Sequence, residues 1–263
     1  MSLFQLSTPA LVLGLFAVII GATVVGHLIG RSMRDRSEGL REPFGAIQSA
    51  MLGFMALVMA FGLSLAVGRY ESRRAAVVTE ANALGTAYLR AQTLAEPMRS
   101  RSLELLTAYT DTSIRLADAV PSSAAAKRAL ADGQGLQREL WALAGRSLAA
   151  APTASAPRLY VETLNEMIDQ QAVRKAVLNN RVPPTVLWFE LASAMIALGL
   201  LSFYLALLDR SVWTVLIAAV LVSFLLLVTF DLDRPRRGLI TVPDTPLTDL
   251  RASMDEPPAA AAP

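Results

Sequence analysis

No proline interrupts the stretch from Ala50 to Arg90, and that continuity constrains the chain more than any other feature. The stretch opens with MLGFMALVMAFGLSLAVG, apolar enough to cross a bilayer, passes through the charge cluster RYESRR and continues as AAVVTEANALGTAYLR. No loop signal separates the three pieces, so the pattern predicts one helix, half in lipid and half in water. Arg69, Glu71, Arg73 and Arg74 then sit where the hydrocarbon ends. A helix that joins a membrane span to a soluble domain without a break suits conduction or signalling better than simple anchoring.

Of the 263 residues 54% are hydrophobic and only 17% charged, which places the chain among membrane proteins. A helix needs about 20 mostly apolar residues to cross the hydrocarbon core. Four stretches qualify: Leu11 to Ile29, Ile47 to Val67, Val186 to Leu208 and Val212 to Phe230. The first reads as a retained span, since no Lys or Arg precedes it and no small-x-small cleavage site follows Gly30.

Gly14, Gly21, Gly26 and Gly30 leave flat surface on the first span, and Gly26 with Gly30 forms a GxxxG pair that admits another helix at close range. In the second span Ala56, Ala60, Ser64 and Gly68 recur every four residues as a small-residue ridge suited to tight packing. Leu57, Phe61 and Leu65 form a bulky ridge about 100° further round. The bulky ridge can face lipid or something else. Glu190 lies near the end of the third span, and the sequence predicts that it snorkels to the interface.

Between Arg69 and about Arg181 the pattern is helical, with apolar residues three to four apart and almost no alternation. Pro97 opens a second soluble helix, Pro121 closes it, Ser122 or Ser123 caps a third, and a fourth runs from Arg158 to about Asn180. The expected architecture is an all-α integral membrane protein. Its expected divisions are 1–74 for the first two transmembrane helices, 75–182 for a helical soluble domain, 183–233 for a transmembrane hairpin and 234–263 for a soluble tail. The last dozen residues, rich in Pro and Ala, are expected to be disordered. The basic residues near the membrane total more on the side of the soluble domain, although those around the first span argue the other way. The expected placement is a bacterial inner membrane, multi-pass, with the helical domain and both termini cytoplasmic.

Three polar clusters interrupt otherwise apolar helices: Glu80, Asn82 and Thr86; Asn165, Glu166 and Asp169; and Asp231, Asp233, Arg234, Arg236 and Arg237. Asn165 and Asp169 are four apart and share a helix face. Such clusters serve either as a buried network tying helices together or as a polar vestibule or ion site below the membrane. The chain carries no HExxH, GxSxG, P-loop or dinucleotide fingerprint, one histidine and no cysteine, so neither catalysis nor a metal or other cofactor is expected. A formal net charge of +2 without long charged runs gives no reason to expect nucleic acid as a partner.

The segment GRYESRRAAVVTEANALGTAYLRAQ, Gly68 to Gln92, resembles the bacterial DUF4239, or bestrophin-like, family of membrane proteins. Four more pieces carry the same resemblance: LNEMIDQ at Leu164, NNRVPPTV at Asn179, DLDRPRRGLI at Asp231 and PLTDL at Pro246. More distantly, RYESRR is similar to the step after the second span of bestrophins, which are pentameric anion channels with four spans per subunit and a helical cytoplasmic domain. That resemblance implies a pore lined by the second span, with Gly53, Leu57 and Phe61 at the neck positions and Leu65 following. Glycine at position 53 departs from the bulky pattern, and an acidic calcium clasp is not recognisable. The implied function is a homo-oligomeric ion channel in a lipid bilayer, pentameric, with an inorganic anion as the permeant ion. The alternative is a membrane-anchored signalling or scaffold protein without conduction.

Overall fold

A computed structural model describes residues 7–34, 41–120, 123–234 and 238–257 of the chain. All its secondary-structure elements are α-helices: α1 (Thr8–Met33), α2 (Arg41–Ala91), α3 (Met98–Asp118), α4 (Ala124–Ala150), α5 (Ser155–Asn179), α6 (Pro184–Leu207), α7 (Trp213–Leu232) and α8 (Thr245–Ser253). α2 is one helix of 51 residues, as the unbroken stretch predicts, and Pro43 sits in its first turn, where its missing N–H costs nothing. Among the described residues four helices are long and apolar enough to cross a membrane. The third apolar window belongs to α6, because α5 is a mixed polar helix. The architecture is all-α with four membrane-type helices.

The contacts divide the chain into two compact units. The first joins Met1–Tyr70 to Arg181–Thr241. Hydrophobic burial alone does not hold helices together in lipid, because lipid tails are as apolar as Leu. Close backbone approach does that work here. A Cβ on Gly26 would strike the Gly199 carbonyl, and one on Gly30 would lie 2.5 Å from the Phe203 oxygen. The pairing of position 26 with 199 and of 30 with 203 means that α1 and α6 run parallel. Gly14 and Gly21 meet nothing within 4 Å, so of the four glycines only the GxxxG pair carries the contact. Two buried hydroxyls in this unit bond to their own helices, Thr23 to the Ile19 carbonyl at 2.9 Å and Ser223 to that of Ala219 at 2.7 Å. Asp209 turns the α6–α7 hairpin in the left-handed region, at φ 57°, and pairs with Arg34 beyond the end of α1.

The second unit joins Glu71–Asn180 to Val242–Pro263. Here water drives burial, and Leu84, Leu106, Tyr109, Leu140, Leu164 and Leu247 are fully enclosed. Ser123 accepts the Ala126 N–H at 3.1 Å and starts α4, one of the two caps the sequence offers. Most of α8 precedes the last dozen residues, the stretch expected to be disordered. In α8 Leu247 is buried and Arg251 donates to Asp111 at 2.7 Å. Tyr88 donates to the Met254 carbonyl at 3.2 Å, so ordered contacts reach into the last dozen residues. The expectation of disorder from residue 258 onward lies outside the described residues.

The uncovered face of α2 and its polar anchors

Within its membrane half, α2 buries Met55, Met59, Gly62 and Ala66, spaced by four, three and four residues, which is one helix face. The opposite face is left uncovered by the rest of the chain. It carries Gly53, which has nothing within 4 Å, Leu57 (55% exposed), Phe61 (64%) and Leu65 (45%). The small-residue ridge of Ala56, Ala60, Ser64 and Gly68 is exposed as well. The small ridge does not pack inside the chain. A third face does, because the helix is apolar all round and its periodicity leaves open which side meets a neighbour.

A polar side chain reaches the buried face of α2. Glu190 of α6 is 0% exposed, and a Cβ on Gly62 would fall onto its carboxyl oxygen. Neither carboxyl oxygen has a hydrogen-bond partner. The predicted snorkelling does not occur. Glu190 lies on the stripe Leu187, Glu190, Leu191, Ala194 and Leu198 that packs inward, so the helix face carries it away from the interface.

Asp231 and Asp233, at the end of α7, accept backbone N–H groups. Asp231 receives the N–H of Ile240 at 2.8 Å, and Asp233 that of Val182 at 3.0 Å. Val182 is the last residue able to donate before Pro183 and Pro184, so Asp233 fixes the chain where it enters α6. Gly238 lies against the Asp231 carboxylate, and a Cβ there would stand 2.6 Å from both oxygens. Arg234 is buried beside them, while Arg236 and Arg237 lie outside the described residues.

In the second unit Glu80 is buried and pairs with Arg174 of α5, and its other oxygen accepts from Ser113 at 3.1 Å. Arg73, also buried, donates to the Asn180 carbonyl at 3.0 Å. Tyr109 and Gln171 flank Gln137, at 3.0 and 2.7 Å. Burial, with the Glu80 charge adding to it, pushes the Tyr109 phenol well above its ordinary range. Asn82, Asn165 and Asp169 point outward instead, the last two 3.4 Å apart. Arg69 is half-buried, and Glu71 is exposed, 3.8 Å from Arg74.

Asp231, Asp233 and Arg234 belong to the membrane unit, Glu80 to an internal network, and Asn82, Asn165 and Asp169 to outer faces. Arg174, Ser113, Gln137 and Glu190 are partners or anchors that the sequence reading did not assign to these places. A signal existed for two of them: Arg174 and Glu190 both fall where helical spacing requires an apolar residue. Among the described residues no three His, Asp or Glu side chains come together as metal ligands would.

A family model described as "Bestrophin-like domain" matches residues 11–247. Among solved structures, a point variant of a bacterial bestrophin homologue from Klebsiella pneumoniae matches with a TM-score of 0.68 at 16% identity, over 92% of this chain and 97% of that one. A second variant of that homologue gives 0.66 at 18% identity over 95% and 96%. A crystal structure described as a membrane protein gives 0.65 at 17% identity over 92% and 97%. No curated protein matches this sequence. The chain has the bestrophin fold and belongs to the bestrophin-like family.

Proposed function

We propose that this bestrophin-like protein is a homo-oligomeric ion channel, a ring of five chains whose α2 helices surround the pore. One α2 per chain cannot enclose a pathway, so assembly is a requirement of the reading. The observation that carries it is the uncovered face of α2. That face mixes Gly53, Ala60, Ser64 and Gly68 with Leu57 and Phe61. The exposed side of α7 is mostly bulky, with Trp213, Ile217, Leu221 and Phe224, as suits lipid. Small residues permit close approach of neighbouring copies, and the bulky ones narrow what remains. Leu57 and Phe61 form a hydrophobic constriction that gates by dewetting, with Gly53 and Leu65 before and after it.

In this reading residues 1–74 and 183–233 make the membrane part, 75–182 a cytoplasmic helical domain and 234–263 its tail, in a bacterial inner membrane with both termini cytoplasmic. Arg69 and Glu71 line the exit from the membrane. The outward-facing Asn82, Asn165 and Asp169 line a vestibule, whereas Glu80, Asp231, Asp233 and Arg234 shape it from within the protein, with Arg236 and Arg237 at its margin. The resemblance to bestrophins supports a preference for inorganic anions. Native mass spectrometry of the protein in lipid tests the assembly. A closed ring of five supports the channel, and a monomer or dimer supports a membrane-anchored scaffold in its place.

A further inference from the structure

The inward stripe of α6 places Glu190 in the interior of the membrane unit, but nothing there satisfies its carboxyl group. It is fully enclosed by the chain itself, both carboxyl oxygens lack hydrogen-bond partners, and it rests on Gly62, the residue next to Phe61. Any side chain at position 62 would occupy the space of the carboxyl, so the glycine makes the recess that the acid fills. Besides Glu190, the ionisable side chains described on the helices of this unit are His27 and Arg31 of α1, Arg69 and Tyr70 of α2, Tyr204 of α6 and Asp231 of α7. None of them bonds to Glu190. Arg69, the nearest cation along α2, is seven residues from Gly62, about 10 Å at the helical rise. An ionised carboxylate enclosed without a counter-charge costs far more than a neutral acid in the same place.

We propose that Glu190 is a proton-binding site whose occupancy sets the seat of α2 behind the Phe61 constriction, which makes conduction respond to pH. The proposal rests on the reading of α2 as the pore-lining helix. With the proton bound, the carboxyl stays in the recess at Gly62. On losing it to water, one proton per chain, the carboxylate must gain hydration or a cation. Either change displaces α2 at the turn that presents Phe61.

Two measurements on the full-length protein in liposomes test this, with Glu190→Gln as the isosteric variant. Infrared difference spectra across a pH titration should show the carbonyl stretch of a protonated carboxyl at the high frequency of an acid without hydrogen bonds. That band should be lost in Glu190→Gln. Flux of halide through the wild type should change with pH, and Glu190→Gln should hold the acid-side level throughout. A wild-type spectrum without the band, a band that survives in Glu190→Gln, or a flux profile in the variant that superimposes on the wild type would overturn the proposal. A titrating band in a protein that passes no halide at any pH would overturn the coupling and the pore reading while leaving the proton site established.

Discussion

Glu80 of α2 and Arg174 of α5, 94 residues apart in the chain, form an ion pair whose two side chains are 0% and 3% exposed. Water cannot compensate either charge if the other is removed. Ser113 of α3 donates to the second Glu80 oxygen, so the pair fastens three helices.

Removing one partner should therefore cost about 3–5 kcal/mol, the penalty of an uncompensated buried charge. Arg174→Met or Glu80→Leu alone should lower the thermal unfolding midpoint of the soluble helices. The double variant, which removes both charges, should regain much of the loss. Circular dichroism on heating, in detergent, reads both.

The α1–α6 crossing makes a prediction that separates neighbouring glycines. Gly26→Ala drives a Cβ into the Gly199 carbonyl and should cost about 1–3 kcal/mol by overpacking. Gly199→Ala places its Cβ 3.5 Å from the Ala22 oxygen, ordinary contact, and Gly14→Ala meets nothing. Both should unfold at the wild-type temperature.

Asp233→Ala takes the acceptor away from the Val182 N–H and leaves a buried donor without its bond, at a cost of about 1–3 kcal/mol. The specific sign is local. In hydrogen-exchange mass spectrometry the segment before Pro183 should lose protection more than the middle of α6 does. Gly238→Ala should disturb the same region by striking the Asp231 carboxylate.

Alkaline pH should unfold the second unit through its tyrosines. Burial pushes Tyr160 up from 10.0 to about 12, with the Ser102 hydroxyl acting the other way. The folded value lies above the unfolded one, so this contribution to stability is complete below pH 10 and is lost as pH rises towards about 12. Phenolate absorbance should show a late-titrating class, and Tyr160→Phe should remove part of it and make unfolding less steep over that range.

The four spans, the length of α2 and the helical character of the domain were legible because helical period, proline placement and apolar run length act locally. The GxxxG pair was legible too, since glycine at that spacing has a specific packing use. α8 was not. Nine residues with Asp244 before them and Pro246 in their first turn hold as a helix through the docking of Leu247 and Arg251, which sequence spacing does not report. Glu190 was read by its distance from a span end, when its place on the inward stripe was the better guide. The packing face of α2 stayed hidden because Met55, Met59, Gly62 and Ala66 resemble the exposed ridges in polarity. The partner of Glu80 could have been sought at Arg174, a charge on the apolar stripe of Tyr160, Leu164 and Met167.

The most direct measurement is halide flux from liposomes containing the purified full-length protein, compared with Phe61→Ala. The expected result is flux in the wild type and a larger flux in Phe61→Ala, because the widest side chain on the uncovered face of α2 no longer narrows the pore. Liposomes that stay sealed under every condition, or flux that Phe61→Ala leaves unchanged, would contradict a pore lined by α2.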